Sequence, residues 1–198
     1  MTTIAVLGNG RVGSSLATAL TRAGHEVAVT DRTPGAAADA ARTAQIVINA
    51  TPGDGSLDRL VALREELSGK ILVDVSNATV DGPDGLPAHL LYPGSSLAEQ
   101  LQEALPQTRV VKTLNTMLFP VMTAPALLTQ APDAFLSGDD PQAKETVRDL
   151  LIDLGWRKEW ITDLGDIQTA RATEAAILFV PHVMRSNGFE PFAISIAR

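Results

Sequence analysis

The turn Gly8-Asn9-Gly10-Arg11-Val12-Gly13 sits between an apolar run and an amphipathic stretch, and it constrains this chain more than any other feature. Ile4 to Leu7 is short, uninterrupted and apolar, and Val27 to Val29 is another such run; each fits a strand buried on both faces. Between them Val12, Leu16 and Leu20, with Ala19 and Ala23, recur at spacings of three and four. That is the stripe of a helix packed on one side, and Gly24 follows as its natural stop. Strand, glycine turn, helix and strand make a βαβ unit.

The same rhythm continues. Short runs recur at Ile46 to Ile48, Ile71 to Val75, Arg109 to Thr113 and Ala134 to Ser137, separated by helical patterns such as Leu57, Leu60, Leu67 and Leu97, Leu101, Leu105. The alanine cluster Ala36 to Ala41 fits a short helix. After Gly138-Asp139-Asp140-Pro141, a helix carrying Val147, Leu150, Leu151 and Leu154 leads to a last strand near Arg157 to Ile161. One longer apolar helix is predicted from Ile167 to Met184, then Asn187-Gly188 and a terminal segment, Phe192 to Ile196. The fold class expected is α/β: a doubly wound, mostly parallel sheet (Rossmann) with a small C-terminal helical arm. Residues 1–163 form the sheet domain in this reading, and 164–198 the arm, which packs across the sheet's open edge and a partner subunit.

A Gly-x-Gly-x-x-Gly turn that follows a strand and opens a helix is the setting in which the motif binds a dinucleotide. Gly8 permits the tight turn, Gly10 lets a pyrophosphate approach the backbone, and Gly13 lets helix and strand pack closely. The free N–H groups at the helix start then face the phosphates. At the end of the second strand Asp31 can accept from a ribose 2′-hydroxyl, which favours NAD(H). Thr30, Arg32 and Thr33 around it suit a 2′-phosphate, which favours NADP(H). Ligands of open α/β sheets lie beyond the carboxyl ends of the strands, where this chain has Ala50-Thr51-Pro52-Gly53, Ser76-Asn77-Ala78 and Leu114-Asn115-Thr116.

Composition narrows the partners. A net charge of -7 argues against nucleic acid and anionic membranes, leaving a small molecule. With no cysteine there is no thiolate nucleophile and no Cys-built metal site, which suits a reducing cytoplasm. The start, Met1-Thr2-Thr3-Ile4, has no signal-peptide pattern, and no run reaches membrane-spanning length. No metal site is expected, and neither a zinc-protease motif nor a nucleophile elbow occurs. His89 and Tyr92, in the loop Gly85 to Ser96, are the candidate catalytic acids should a carbonyl or imine be reduced; Lys112 is better placed for a structural role on its strand. His25 and His182 read as a loop residue and a packed arm residue, Trp156 and Trp160 as core flanking the last strand, and Arg171 with Glu174 as a helix-surface pair.

With these residues in view, the chain resembles the NADPH-dependent reductases of the deazaflavin coenzyme F-420 and the related oxidoreductase domain of the six-transmembrane metalloreductases. The carrying segments are Gly8 to Gly13, Gly24-His25-Glu26-Val27, Asp74 to Asn77, Val110 to Thr116, Ser137-Gly138-Asp139-Asp140 and Met184-Arg185-Ser186-Asn187-Gly188. The membrane-spanning half is absent from this sequence, so the resemblance implies the soluble type: a homodimer passing hydride between NADP(H) and a planar co-substrate such as coenzyme F-420. Gly8, Asn9, Gly10, Arg11, Val12 and Gly13 would hold the pyrophosphate, and Thr30, Asp31, Arg32 and Thr33 the adenosine end. Ala50, Thr51, Pro52, Ser76 and Asn77 would meet the nicotinamide half. Asn115, Thr116, Met117, Gly188 and Phe189 would line the acceptor site. Three departures stand out: only Thr33 to Ala44 fill the stretch before Ile46, Asp31 replaces a small polar residue, and Asn115 stands where some F-420 enzymes have histidine. Reduction of a small carbonyl or imine, and a catalytically silent dinucleotide sensor, are the alternative functions.

Overall fold

The computed structural model describes residues 1–197; Arg198, the last residue assigned to the arm, lies outside the described residues. In chain order the elements are β1 (Thr3–Leu7), α1 (Arg11–Arg22), β2 (Glu26–Thr30), α2 (Ala36–Thr43), β3 (Ile46–Asn49), α3 (Ser56–Val61), α4 (Arg64–Leu67) and β4 (Ile71–Asp74). Then come β5 (Thr79–Asp81), β6 (Pro87–Leu90), α5 (Leu97–Ala104), β7 (Arg109–Lys112), α6 (Phe119–Thr123), β8 (Ala134–Ser137), α7 (Pro141–Asp153), β9 (Ile161–Gly165), α8 (Ala170–Ala175) and α9 (Val180–Asn187). Seven strands form one sheet in the order β2-β1-β3-β4-β7-β8-β9, and β5 and β6 make a separate hairpin. The first five of the sheet pair in parallel; β8 joins β7 antiparallel, and β9 runs parallel to β8. The mostly parallel α/β sheet expected from the sequence is present.

Strand alternation divides the apolar residues between two cores. Ile4, Val6, Ile48, Val73 and Val111 face one layer, where they meet Leu16 and Leu20 of α1 and Val147, Leu150 and Leu151 of α7. Ala5, Leu7, Val47, Leu72 and Val110 face the other, against Leu60, Leu67, Leu97 and Leu101. Both sides of each central strand are thus covered, which is why these strands read as continuous apolar runs. Each fully buried Leu contributes about 1.5–3 kcal/mol. Trp156 is core, its Nε1 donating to the Met122 carbonyl at 3.0 Å and fastening α6 to the end of α7.

The chain leaves β1 for β2 on one side and then crosses back to β3 on the other, so the winding reverses between β1 and β3. That reversal opens the crevice in which such sheets hold ligands. Among the described residues no strand lies outside β2, because Thr33 to Ala44 supply only α2 before β3 begins. The sheet therefore ends at β2, in keeping with the short stretch noted there as a departure from the family.

Several elements differ from the sequence reading. The last strand is Ile161–Gly165, and Lys158–Trp160 ahead of it is a 3-10 turn, so both tryptophans precede the strand instead of flanking it. Trp160 carries Arg157 over its ring at 4.9 Å. Part of the segment taken as a loop, Gly85 to Ser96, is strand β6, paired antiparallel to β5 with His89 opposite Val80. Its opening proline and its adjacent exposed residues, Ala88 and His89, disguise it. The helix expected from Ile167 to Met184 is divided into a 3-10 turn, α8, a second 3-10 turn at Ala176–Phe179 and α9. Pro181 has no N–H to give the preceding turn, which accounts for the tightening there. Arg171 and Glu174 do not pair: Arg171 reaches Glu99, while Glu174 is buried.

The three glycines of the first turn do not share one cause. A Cβ on Gly13 would lie 1.9 Å from the Gly8 carbonyl oxygen, and one on Gly8 would lie 2.6 Å from that of Ala50. At Gly10 a Cβ would meet nothing within 4 Å, and its φ of -71° suits any residue. Gly13→Ala is therefore expected to lower stability by at least about 1–3 kcal/mol in urea unfolding. Gly10→Ala should stay within about 0.5 kcal/mol of the parent. Equal losses at the two positions would contradict the distinction.

Candidate functional site

The last residues of the five parallel strands, Thr30, Leu7, Asn49, Asp74 and Lys112, pair successively in one row across the sheet. Four of the five are polar and buried. The loops that leave this row carry most of the residues expected at the site.

On the β1 side, α1 opens at Gly10 with no side-chain cap and no acidic residue in its first turn. Arg11, Val12 and Gly13 thus begin a helix whose positive end is free to face an anion. The Arg11 guanidinium lies 5.4 Å from the centre of the Phe119 ring, linking this turn to the segment after β7. Asn9 is exposed, and its carbonyl accepts from the Ser14 hydroxyl at 2.8 Å. The buried Thr30 gives its carbonyl to the Gly8 N–H at 3.1 Å. Asp31 accepts from the Thr33 N–H at 2.8 Å, and its hydrogen bonds to Thr33 hold its carboxyl below the ordinary range. Arg32 is exposed and, among the described residues, makes no hydrogen bond or ion pair.

The loops after β3 and β4 are joined. Asn49 Oδ1 accepts from the Thr51 hydroxyl at 2.7 Å, and its Nδ2 donates to Asp74 Oδ1 at 2.8 Å. Asp74 Oδ1 also takes the Ser76 hydroxyl at 2.7 Å and the Ser76 N–H at 3.2 Å. The Thr51 and Ser56 hydroxyls lie 2.9 Å apart, and Ser56 donates onward to the Pro52 carbonyl at 2.8 Å. Ala50 is half-buried where Gly8 presses on it. Gly53 approaches so closely that a Cβ would lie 2.1 Å from the Asn77 carbonyl oxygen.

Across the next strand, Asn77 and Asn115 exchange hydrogen bonds: Asn77 Nδ2 donates to the Asn115 carbonyl and Asn115 Nδ2 to Asn77 Oδ1, both at 2.9 Å. Just before Asn115, the buried Leu114 takes a φ of 60°, a left-handed conformation that costs a residue with a Cβ roughly 1–2 kcal/mol. Thr116 and Met117 are buried beside the C-terminal segment. Ile194 donates to the Thr116 carbonyl at 3.0 Å, Met117 bridges Ala193, and Leu118 donates to the Phe192 carbonyl at 2.9 Å. The hydroxyls of Thr113 and Thr116 are buried without a partner among the described residues. Gly188 and Phe189 are exposed where α9 ends, just ahead of that segment.

The candidate acids lie off this row. His89 is exposed on the hairpin. Tyr92 packs against the second core; burial, together with the Asp58 and Glu174 carboxylates, pushes its phenol up and makes it a weaker acid. His25 contacts Asp153 at 3.1 Å. His182 lines, with Pro87 and Arg185, a cavity of about 550 Å³ between hairpin and arm.

The structural role expected for Lys112 came without its partners, which went unrecognised in the sequence. Lys112 is almost wholly buried, and its Nζ reaches Asp74 Oδ2 at 2.7 Å, the Ser76 carbonyl at 2.5 Å and Glu174 Oε1 at 2.8 Å. Burial opposes its charge, but the two carboxylates outweigh that and hold the ammonium above its ordinary value. Glu174 in turn accepts from the Leu97 N–H at 2.9 Å and the Ala98 N–H at 3.2 Å, capping α5 from the arm. The signal was present as a lone charge in each of two apolar runs, since buried charges require partners. Lys112→Met would leave two buried carboxylates without their cation. The expected loss is about 3–5 kcal/mol in urea unfolding at neutral pH. A loss under about 1 kcal/mol would contradict the cluster's role.

Comparison with known proteins agrees with this geometry. Residues 3–55 match the family model for NADP oxidoreductase, coenzyme F420-dependent. The chain is 29% identical over 138 residues to the F420-dependent NADP reductase of Methanocaldococcus jannaschii, covering 69% of this chain and 60% of that protein. It is 30% identical over 189 residues to the metalloreductase STEAP3 of Rattus norvegicus, covering 87% of this chain and 36% of that one. The chain thus spans less than two thirds of either relative's length. Among solved structures, a candidate F420-dependent NADP-reductase from Arthrobacter sp. FB24 is 36% identical and superimposes with a TM-score of 0.92, with 100% of both chains covered. On that full-length likeness, the chain belongs to the family of coenzyme F420-dependent NADP oxidoreductases.

Proposed function

We propose that the protein is an NADP(H)-dependent oxidoreductase that passes hydride between the nicotinamide and a planar acceptor, coenzyme F420 being the acceptor named for its relatives. The observation that carries the reading is Gly10. No protein atom would obstruct a side chain there and its backbone demands none of glycine's freedom, so a close-lying ligand is the reason for its smallness. The uncapped start of α1 beside it supplies what a pyrophosphate needs.

At the adenosine end, Asp31 is engaged with Thr33 while Arg32 is uncommitted, an arrangement that favours a 2′-phosphate over a 2′-hydroxyl. Thr30 and Thr33 flank that position. Thr51, Pro52, Ser76 and Asn77 would orient the nicotinamide half. Asn115, Thr116 and Met117, with Gly188 and Phe189, would bound the acceptor. When bound, the dinucleotide supplies the hydride; the chain supplies distance, orientation and exclusion of water. Such a transfer requires no nucleophile. Carbonyl or imine reduction would want a proton donor, whereas Lys112 directs its ammonium protons to three acceptors and Tyr92 is pushed up. The reading includes a homodimer with the arm at its interface, where Phe179 and Phe189 are exposed.

Titration followed by nucleotide fluorescence is expected to show tighter binding of NADPH than of NADH, with absorbance then reporting oxidation when coenzyme F420 is added. Gly10→Ala should weaken NADPH at least about tenfold, or 1.4 kcal/mol, with its unfolding midpoint preserved. Arg32→Ala should cost NADPH about 1.5–3 kcal/mol and leave NADH little changed. No binding of either dinucleotide would end this reading, and binding without turnover across F420, flavins and small carbonyls would make the protein a sensor.

A further inference from the structure

The Lys112 cluster joins two regions with no sequence proximity. Its ammonium holds Asp74 and the Ser76 carbonyl on one side and Glu174 of α8 on the other. From Asp74 the bonds run through Asn49 to Thr51, and through Ser76 to the loop whose next residue, Asn77, is paired with Asn115. All the loops placed at the nicotinamide half therefore hang on one ion, and that ion is completed by the arm. Among the described residues the glycine turn and the Thr30 to Thr33 segment have no hydrogen bond or ion pair to this cluster, although Gly8 packs against Ala50 beside it.

We infer that Lys112 and Glu174 are positioning residues for the nicotinamide half of the dinucleotide: docking of α8 through Glu174 sets the Lys112 ammonium, which sets the loops at Thr51 and Ser76. The inference rests on the dinucleotide reading above. It assigns the arm a role beyond bounding the acceptor. Neither side chain acts on the reacting atoms, since both are buried and occupied by protein partners. A charge-neutral replacement of Glu174 presents an amide to groups that are all donors: the Lys112 ammonium and the Leu97 and Ala98 N–H groups. The amide oxygen can serve some of these donors, but its –NH2 must face at least one of them, and the loops lose their fixed support.

The test compares two ligands that share the adenosine and pyrophosphate end. NADP and 2′-phospho-ADP-ribose, which lacks nicotinamide, are titrated calorimetrically into the parent protein and into Glu174→Gln. The variant is expected to weaken NADP about tenfold or more while 2′-phospho-ADP-ribose stays within about twofold. Should Glu174→Gln fail to fold, as judged by circular dichroism, Glu174→Asp keeps the charge with a shorter reach and is read by the same pair of ligands. A purely structural cluster would weaken both ligands alike or neither, and either result overturns the inference. If the parent binds neither ligand, the dinucleotide reading falls and takes the inference with it; if the parent binds both and the variant treats them alike, the inference alone falls.

Discussion

A single buried ammonium organises the carboxyl end of the sheet. An unpaired cation in a protein interior is far too costly to keep, so Lys112 can occupy its position only with Asp74, the Ser76 carbonyl and Glu174 around it. Satisfying Lys112 also places its partners. Asp74 is held in register beside Lys112 by strand pairing, Asn49 is held beside Asp74, and Glu174 is drawn in from a helix far along the chain. The apolar cores on the two faces supply the stability; the polar row at their edge gives the loops definite positions.

Backbone proximity does the complementary work. Gly8 against Ala50, Gly13 against Gly8 and Gly53 against Asn77 are places where main chain meets main chain with no room for a side chain. Through them the turn after β1 is registered against the loop after β3, and that loop against the one after β4. The site is consequently rigid where loops touch. It is open at Gly10, where nothing in the protein fills the space.

Much of the fold was legible from residue pattern. Strands β1, β3, β4 and β7 are apolar on both faces and could hardly be read otherwise, and the glycine turn was located by the strand and helix on either side of it. What escaped notice depends on contacts distant in sequence. Strand β6 begins with proline and exposes half its residues, so it has no apolar signature and exists because β5 pairs with it. The ladder between β8 and β9 is likewise set by pairing, which moved the last strand beyond Trp160. Glu174 looks like one half of a surface pair with Arg171 at helical spacing; only the packing of α8 over α5 turns it inward to Lys112 and sends Arg171 to Glu99. Sequence spacing describes neighbours along a helix and says nothing about which face is covered.

The order in which residues are synthesised gives this cluster a further significance. On the ribosome, the strands carrying Asn49, Asp74 and Lys112 emerge and can pair well before the segment bearing Glu174 is made. Until then the nascent domain holds a half-neutralised interior, and the first turn of α5 has two N–H groups without their acceptor. A chain cut short before residue 174 would therefore lack more than its arm. Its sheet would have an unsettled centre, with the Lys112 ammonium short of one carboxylate.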